Sequence, residues 1–231
     1  MKKLVLFMAL TLVLSLCACS SAPAETSEPV RTPEPVAVTD EAAASKPEET
    51  VIKFSEAMQA YDIEAMDSFL LKPDTDALLS EYGFEDSTVE GDVDVVTNAV
   101  ISKMERWAGN MKYELGDVST DGDLAQVKVK YTYVDASPII QEFAADLLDR
   151  AYAGEFDDSS EEEIEVYLTQ LIKEKLVATK VGESVATVTY PLVLVNNEWK
   201  IMELPEELEN VLTFNLSTSI GEMEELFGEY E

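Results

Sequence analysis

Histidine is absent from this 231-residue chain, and cysteine occurs only twice, at Cys17 and Cys19. Without an imidazole there can be no Ser-His-Asp triad, no His-ligated zinc and no histidine acid–base chemistry. Positive charge is scarce too: 16 Lys+Arg stand against 47 Asp+Glu, a formal charge of −31. Nucleic-acid binding needs a Lys/Arg footprint to neutralise phosphates, so no nucleic-acid partner is expected. Glycine numbers only nine. No Gly-rich phosphate loop, P-loop or dinucleotide fingerprint appears, and no cofactor or metal is expected. Nor does any apolar run reach the ~20 residues of a membrane span.

What is present begins with a leader. Met1-Lys2-Lys3 is a short positive segment, and residues 4–16 are an almost unbroken apolar run of 13, the length of a signal-peptide core. The run ends in Leu16-Cys17-Ala18-Cys19-Ser20-Ser21. A Leu three places before a Cys, with a small residue immediately before it, resembles the lipobox of bacterial lipoproteins. That resemblance implies cleavage between Ala18 and Cys19, so that residues 1–18 are signal, and a diacylglyceryl thioether on Cys19. An ordinary secretory leader cleaved after Ala18 is the alternative. Under the lipoprotein reading Cys17 leaves with the leader and Cys19 carries lipid, so the mature chain has neither free thiol nor disulfide. One acyl chain binds a membrane only reversibly, whereas two anchor it stably. The expected partner is therefore a membrane, held through Cys19, with the protein on its outer, extracytoplasmic face.

Residues 19–48 read as the lipidated Cys and a linker. From residue 20 on they hold five of the nine prolines, no glycine and no aromatic residue, too little apolar surface to offset ordering entropy. Such a coil spans about 30 Å root-mean-square, or up to roughly 90 Å if wholly polyproline-like.

A single domain is expected over 49–231, with a C-terminal helical extension at 205–231. Val51, Phe54, Met58 and Tyr61 recur at helical spacing. Asp62 can cap a second helical segment carrying Met66, Phe69 and Leu70, and residues 74–82 make a short helix closed by Gly83. Val93, Val96, Val100, Met104 and Trp107 form the clearest amphipathic stripe. Periodicity then switches to two: Met111, Tyr113 and Leu115 alternate with polar residues. A turn at Asp121-Gly122-Asp123 leads into Val127, Val129, Tyr131 and Tyr133, a hairpin with one buried face. Ser137-Pro138 reads as an N-cap and first-turn proline, ahead of Ile140, Phe143 and Leu147, with Gly154 as the stop. Ser160 with Glu163 is a capping-box pattern before Ile164, Leu168 and Leu171. Val185 to Val195 is a long strand, and Asn196-Asn197 turns it into Trp199 and Ile201. From Pro205 the chain is helical in character, with Leu208, Val211, Leu212, Met223 and Phe227 apolar. The fold class is thus α+β, one antiparallel sheet packed on N-terminal helices, with a helix pair inserted between two strand pairs.

The opening helix Val51-Ile52-Lys53-Phe54-Ser55-Glu56-Ala57-Met58, its continuation Tyr61-Asp62-Ile63-Glu64-Ala65-Met66, the segment Asp121-Gly122-Asp123-Leu124-Ala125-Gln126-Val127 and the ending Asn196-Asn197-Glu198-Trp199-Lys200-Ile201 together resemble bacterial lipoproteins with a nuclear-transport-factor-two-like (SnoaL-like, cystatin-type) domain. The likeness covers about residues 48–203 and rests on motif order. It implies a curved, cone-like sheet wrapping the N-terminal helix around a pocket. The helix pair at 138–178 departs from the common pattern.

Asp117-x-Ser119-x-Asp121-Gly122 looks like the start of a calcium loop, but the position of its bidentate Glu is filled by Lys128, and a hairpin turn is the reading adopted. Glu155, Asp157, Asp158, Glu161, Glu162, Glu163 and Glu165 place seven carboxylates in eleven residues. They read as a solvated loop and helix start, with nonspecific divalent-cation binding the alternative. Tyr61, Trp107, Tyr113, Tyr131, Tyr133, Tyr190 and Trp199 could line a cone interior, an apolar pocket with a few hydroxyls suited to a small ligand or peptide; ordinary core positions are the other reading. The function expected is a non-enzymatic module binding a ligand or a basic protein or peptide. Its alternatives are an enzyme using Asp, Glu or Tyr in the pocket, and a passive assembly protein using an apolar stripe along 205–231.

Overall fold

The structure, a computed structural model, describes residues 46–73 and 92–228, with backbone alone at 92–97 and 224–228. The leader, Cys19, residues 20–45 of the linker and the helix expected at 74–82 lie outside the described residues, as do the side chains of Val93, Val96 and Phe227, whereas Pro47 and Glu48, read as linker, already belong to the first helix.

Helix α1 (Pro47–Ala60) opens on Pro47 at its first position, where the missing N–H costs nothing, with Glu48 and Glu49 in its first turn. It stops at Tyr61, which takes a left-handed φ of 56° while its N–H and that of Asp62 close onto the last turn. Asp62 caps α2 (Ile63–Asp67) by accepting from the Ala65 N–H at 2.9 Å. That helix is shorter than its apolar spacing predicts. Phe69, Leu70 and Leu71 instead run along the outermost strand: Leu70 bridges Ile201, and Ile201 exchanges backbone hydrogen bonds of 2.8 and 2.9 Å with Leu71 and Phe69. Helix α3 (Asp92–Ala108) follows, with Met104 and Trp107 buried as its stripe requires.

Strands β1 (Lys112–Asp121), β2 (Leu124–Asp135), β3 (Gly182–Val195) and β4 (Glu198–Ile201) form one antiparallel sheet in the order β1-β2-β3-β4, not closed into a barrel. Gly122, at φ +60°, supplies the tight β1–β2 loop, and Asn196 and Asn197, both at positive φ, make the β3–β4 turn. In β2 the alternation is strict: Ala125, Val127, Val129, Tyr131 and Tyr133 are buried while Leu124, Gln126, Lys128 and Lys130 face solvent. The covered face packs on α1 and on α3. Strand β1 departs from expectation, since only Tyr113 along it is even half-buried. At the bulge, Gly116 and Asp117 stand opposite Lys128 alone, and Asp117 pairs with that lysine at 4.0 Å. The calcium-like motif is therefore strand and hairpin.

Helices α4 (Ser137–Ala153) and α5 (Glu161–Ala178) are the inserted pair. They do not separate the strands they interrupt, because β2 and β3 pair along twelve consecutive positions. The cap of α4 differs from the expectation. Ala136 is the N-cap residue, Ser137 is already inside the helix, and the capping oxygen is Asp135 Oδ1, which accepts from the Ser137 N–H at 3.1 Å and hydroxyl at 2.7 Å. Gly154 ends α4 at φ 78°. The capping box at Ser160 and Glu163 forms as its pattern predicts. Lys175 of α5, bridging Asp146 at 2.6 Å and Glu142 at 3.8 Å, fastens the pair. The C-terminal stretch is not one helix. Helix α6 (Glu207–Leu212) and helix α7 (Leu216–Gly228) are parted at Phe214 and Asn215, both left-handed. Leu208, Val211, Phe214, Ile220 and Met223 are buried, so 205–223 belongs to the core rather than to an apolar surface stripe.

Candidate functional site

The seven aromatic residues expected around a pocket divide between two sides of the covered sheet face. On one side, α1 lays Phe54 and Ser55 against β2 and β3. Ser55 Oγ donates to the Val51 carbonyl at 2.8 Å. Its one proton is thereby used, so it accepts from Tyr131 Oη at 2.7 Å, and Tyr131 Oη in turn accepts from Tyr190 Oη at 2.8 Å. All three side chains are fully buried, and Phe54 meets Tyr190 edge-on with ring centroids 5.6 Å apart. Tyr113, half-buried on β1, leans on Tyr131 at 6.5 Å. Trp199 is buried on β4, where its carbonyl accepts from Thr50 of α1 at 3.2 Å.

On the other side, Trp107 packs edge-on against Phe214 at 5.5 Å. Tyr133 Oη donates to Asn215 Oδ1 at 2.9 Å, and Asn215 Nδ2 donates to Ser184 Oγ at 3.2 Å. The Ala136 N–H reaches the Phe214 carbonyl at 2.9 Å. Phe214, Asn215, Ser184 and Asp135 are thus a polar seam that docks the α6–α7 junction on the ends of β2 and β3. Sequence reasoning missed it. The available signal was Asn215, a residue type that tolerates left-handed backbone and breaks a helical run.

Tyr61, at the end of α1, donates to Met104 Sδ at 3.7 Å and lines a void with Met58, Met66, Met111, Val211 and Phe214. The void holds about 10 Å³, no more than a marginal single-water space. No ligand of small-molecule size fits there. Of the predicted pocket residues, Trp107, Tyr131, Tyr133, Tyr190 and Trp199 are buried in the core, and Tyr61 and Tyr113 are half-buried against it.

The electrostatics agree. Burial pushes the Tyr131 phenol up to about 12, against smaller lowering by its bonds to Ser55 and Tyr190. Burial likewise raises Tyr61, with Glu105 adding to it, and raises Tyr133, with Asp135 adding to it. These phenols stay neutral at physiological pH, so the buried hydroxyl chain offers no general base. Burial alone would raise Asp135, yet hydrogen bonds from Ser137, Asn215 and Ser184 hold it below the usual carboxylate value. It serves as a cap, being ionised and already engaged.

The acidic segment lies in the α4–α5 connection and the first five residues of α5. Glu155 pairs with Arg150 at 3.3 Å, and Glu163 is held low by its bonds to the Ser160 backbone and hydroxyl. Among the described residues no three Asp, Glu or Cys side chains converge in a metal-holding group, and no helix is long and apolar enough to cross a membrane. No family model matches the chain, no curated protein matches it, and no solved structure matches it.

Proposed function

We propose that the protein is a lipid-anchored, extracytoplasmic lipoprotein whose α+β head is a non-enzymatic binding module that engages a basic protein or peptide partner. The observation that carries this reading is the sequence from Met1 to Pro47: a positive start, a 13-residue apolar run, Leu16-Cys17-Ala18-Cys19, then a Pro-rich tether ending at the first turn of α1. The order of motifs shared with nuclear-transport-factor-two-like lipoproteins supports it. Engagement through the exterior is favoured over an interior pocket because the aromatic residues of the cone are spent on packing. A charge of −31 favours a cationic partner and disfavours lying flat on anionic lipid.

Two measurements test the two halves. Metabolic labelling with an alkynyl fatty acid should tag the native protein, and Cys19→Ala should abolish the label; an untagged native protein refutes the anchor. Capture of partners from solubilised membranes should fall steeply as salt rises, since exposed charges are screened within about 8 Å at 0.15 M. Salt-insensitive capture refutes the electrostatic recognition.

A further inference from the structure

We propose that the chain forms a two-fold dimer in which the outer edge of β1 pairs, antiparallel, with the same edge of a second copy, joining two four-stranded sheets into one. The two edges of the sheet are treated differently. The β4 edge is covered by Phe69–Leu71 through the backbone bonds with Ile201. Among the described residues no segment pairs with the outer edge of β1, a ten-residue strand. Leu115 and Val118 on it remain 41% and 42% exposed although they lie on the covered face of the sheet, opposite the fully buried Val129 and Val127. A long free edge with exposed apolar side chains is a template for strand addition.

The register identifies the occupant. Placing the two-fold between Gly116 and Asp117 sets Leu115 opposite Val118 of the second copy, Tyr113 opposite Thr120, and Lys112 opposite Asp121, each twice. In a regular strand these partners would point to opposite faces, because they are an odd number of residues apart. Here the bulge, where Gly116 and Asp117 together oppose Lys128, shifts the count by one. Leu115, Val118, Tyr113 and Thr120 therefore share the covered face, and Lys112 and Asp121 share the open one. Both ends of the pairing carry opposite charges. Slipping the register by two residues one way sets Asp121 against Glu114, and the other way sets Asp117 against Glu114, like charges that disfavour either slip. A bulge spoils an edge for a straight foreign strand, but a second copy brings the same bulge to the same place. That is the argument for self-pairing over another partner.

Sedimentation velocity of the full chain in detergent, as a function of concentration, tests the proposal. The chain should sediment as a reversible dimer. Lys112→Asp and Asp121→Lys should each weaken it about tenfold by making two like-charge contacts, and the combined K112D/D121K variant should restore it. Asp121→Lys is decisive, since it lowers the net negative charge and would tighten association if general repulsion alone governed it. Leu115→Asp, at a partly exposed site, should abolish the dimer while circular dichroism shows the folded monomer intact. A monomer at all concentrations overturns the proposal, including one whose β1 amides are protected from hydrogen exchange by another part of the chain. So does a dimer indifferent to Leu115→Asp, or charge swaps that fail to rescue each other.

Discussion

At Tyr131 a single hydroxyl joins a helix to two strands. The directed chain from Tyr190 through Tyr131 to Ser55 and the Val51 carbonyl satisfies polar atoms that would otherwise be stranded in the core. Ser55→Ala and Tyr131→Phe should each lower stability by about 1–2 kcal/mol, and the double variant should lose less than the sum by about 0.5–1 kcal/mol, because both remove the same bond. Urea unfolding of the four proteins checks this. The phenol also makes stability depend on alkaline pH. Its folded value, about 12, lies above the ordinary 10.0, so the folded state keeps a proton that the unfolded state releases. That contribution is complete below pH 10.0 and is lost as pH rises through about 12. Tyr131→Phe should flatten this alkaline decline, read as unfolding midpoint against pH. The residue types were visible in the sequence, but their role was not: alternation in β2 says that Tyr131 faces inward, and only packing says whether inward means pocket or core.

Helix ends were the most legible elements. Ser160 and Glu163 announce α5, Gly154 ends α4 and Asp62 begins α2 because a cap is satisfied within three or four residues of itself. Ser160→Ala should cost about 1 kcal/mol, measured by thermal unfolding. Glu163 is held below its ordinary 4.5 by Ser160, so its stabilisation is present above that pH and fades as pH falls below it. Glu163→Gln should remove that step from the acid limb of the stability curve, and an unchanged limb would contradict the capping box. Where a cap depends on distant contacts, local reading failed. Asp135 takes the role assigned to Ser137 because β2 delivers its carboxylate beside Ser184 and Asn215, residues 49 or more positions away. The α6–α7 break failed for the same reason, its Asn215 being held by Tyr133 and Ser184. Leu208 in α6 is fully buried against the sheet side of the core. Leu208→Ala should therefore cost about 2–5 kcal/mol, read from the urea midpoint, whereas a mere appendage would tolerate it.

Over the whole molecule the charge of −31 works against compaction. The clasps on the surface, Lys130 with Glu114 at 3.9 Å and Lys200 with Glu198 at 3.4 Å, are exposed pairs worth little. Raising salt from about 0.01 to 0.15 M shortens the screening length from about 30 to 8 Å. The urea midpoint should rise with it, because repulsion among many carboxylates relaxes by more than these few pairs lose. A falling midpoint would mean that attractive pairs dominate. The sequence by itself determined the fold class, the β1–β2 and β3–β4 hairpins and most helix ends. These depend on periodicity and on contacts only a few residues apart. Only the tertiary structure decided that Tyr131, Tyr133, Tyr190, Trp107 and Trp199 are buried in the core, that 205–223 completes that core, and that Phe69–Leu71 cover one sheet edge while no segment among the described residues pairs with the other. Those outcomes depend on which side chains, far apart along the chain, compete for the same volume, and no local pattern records that competition.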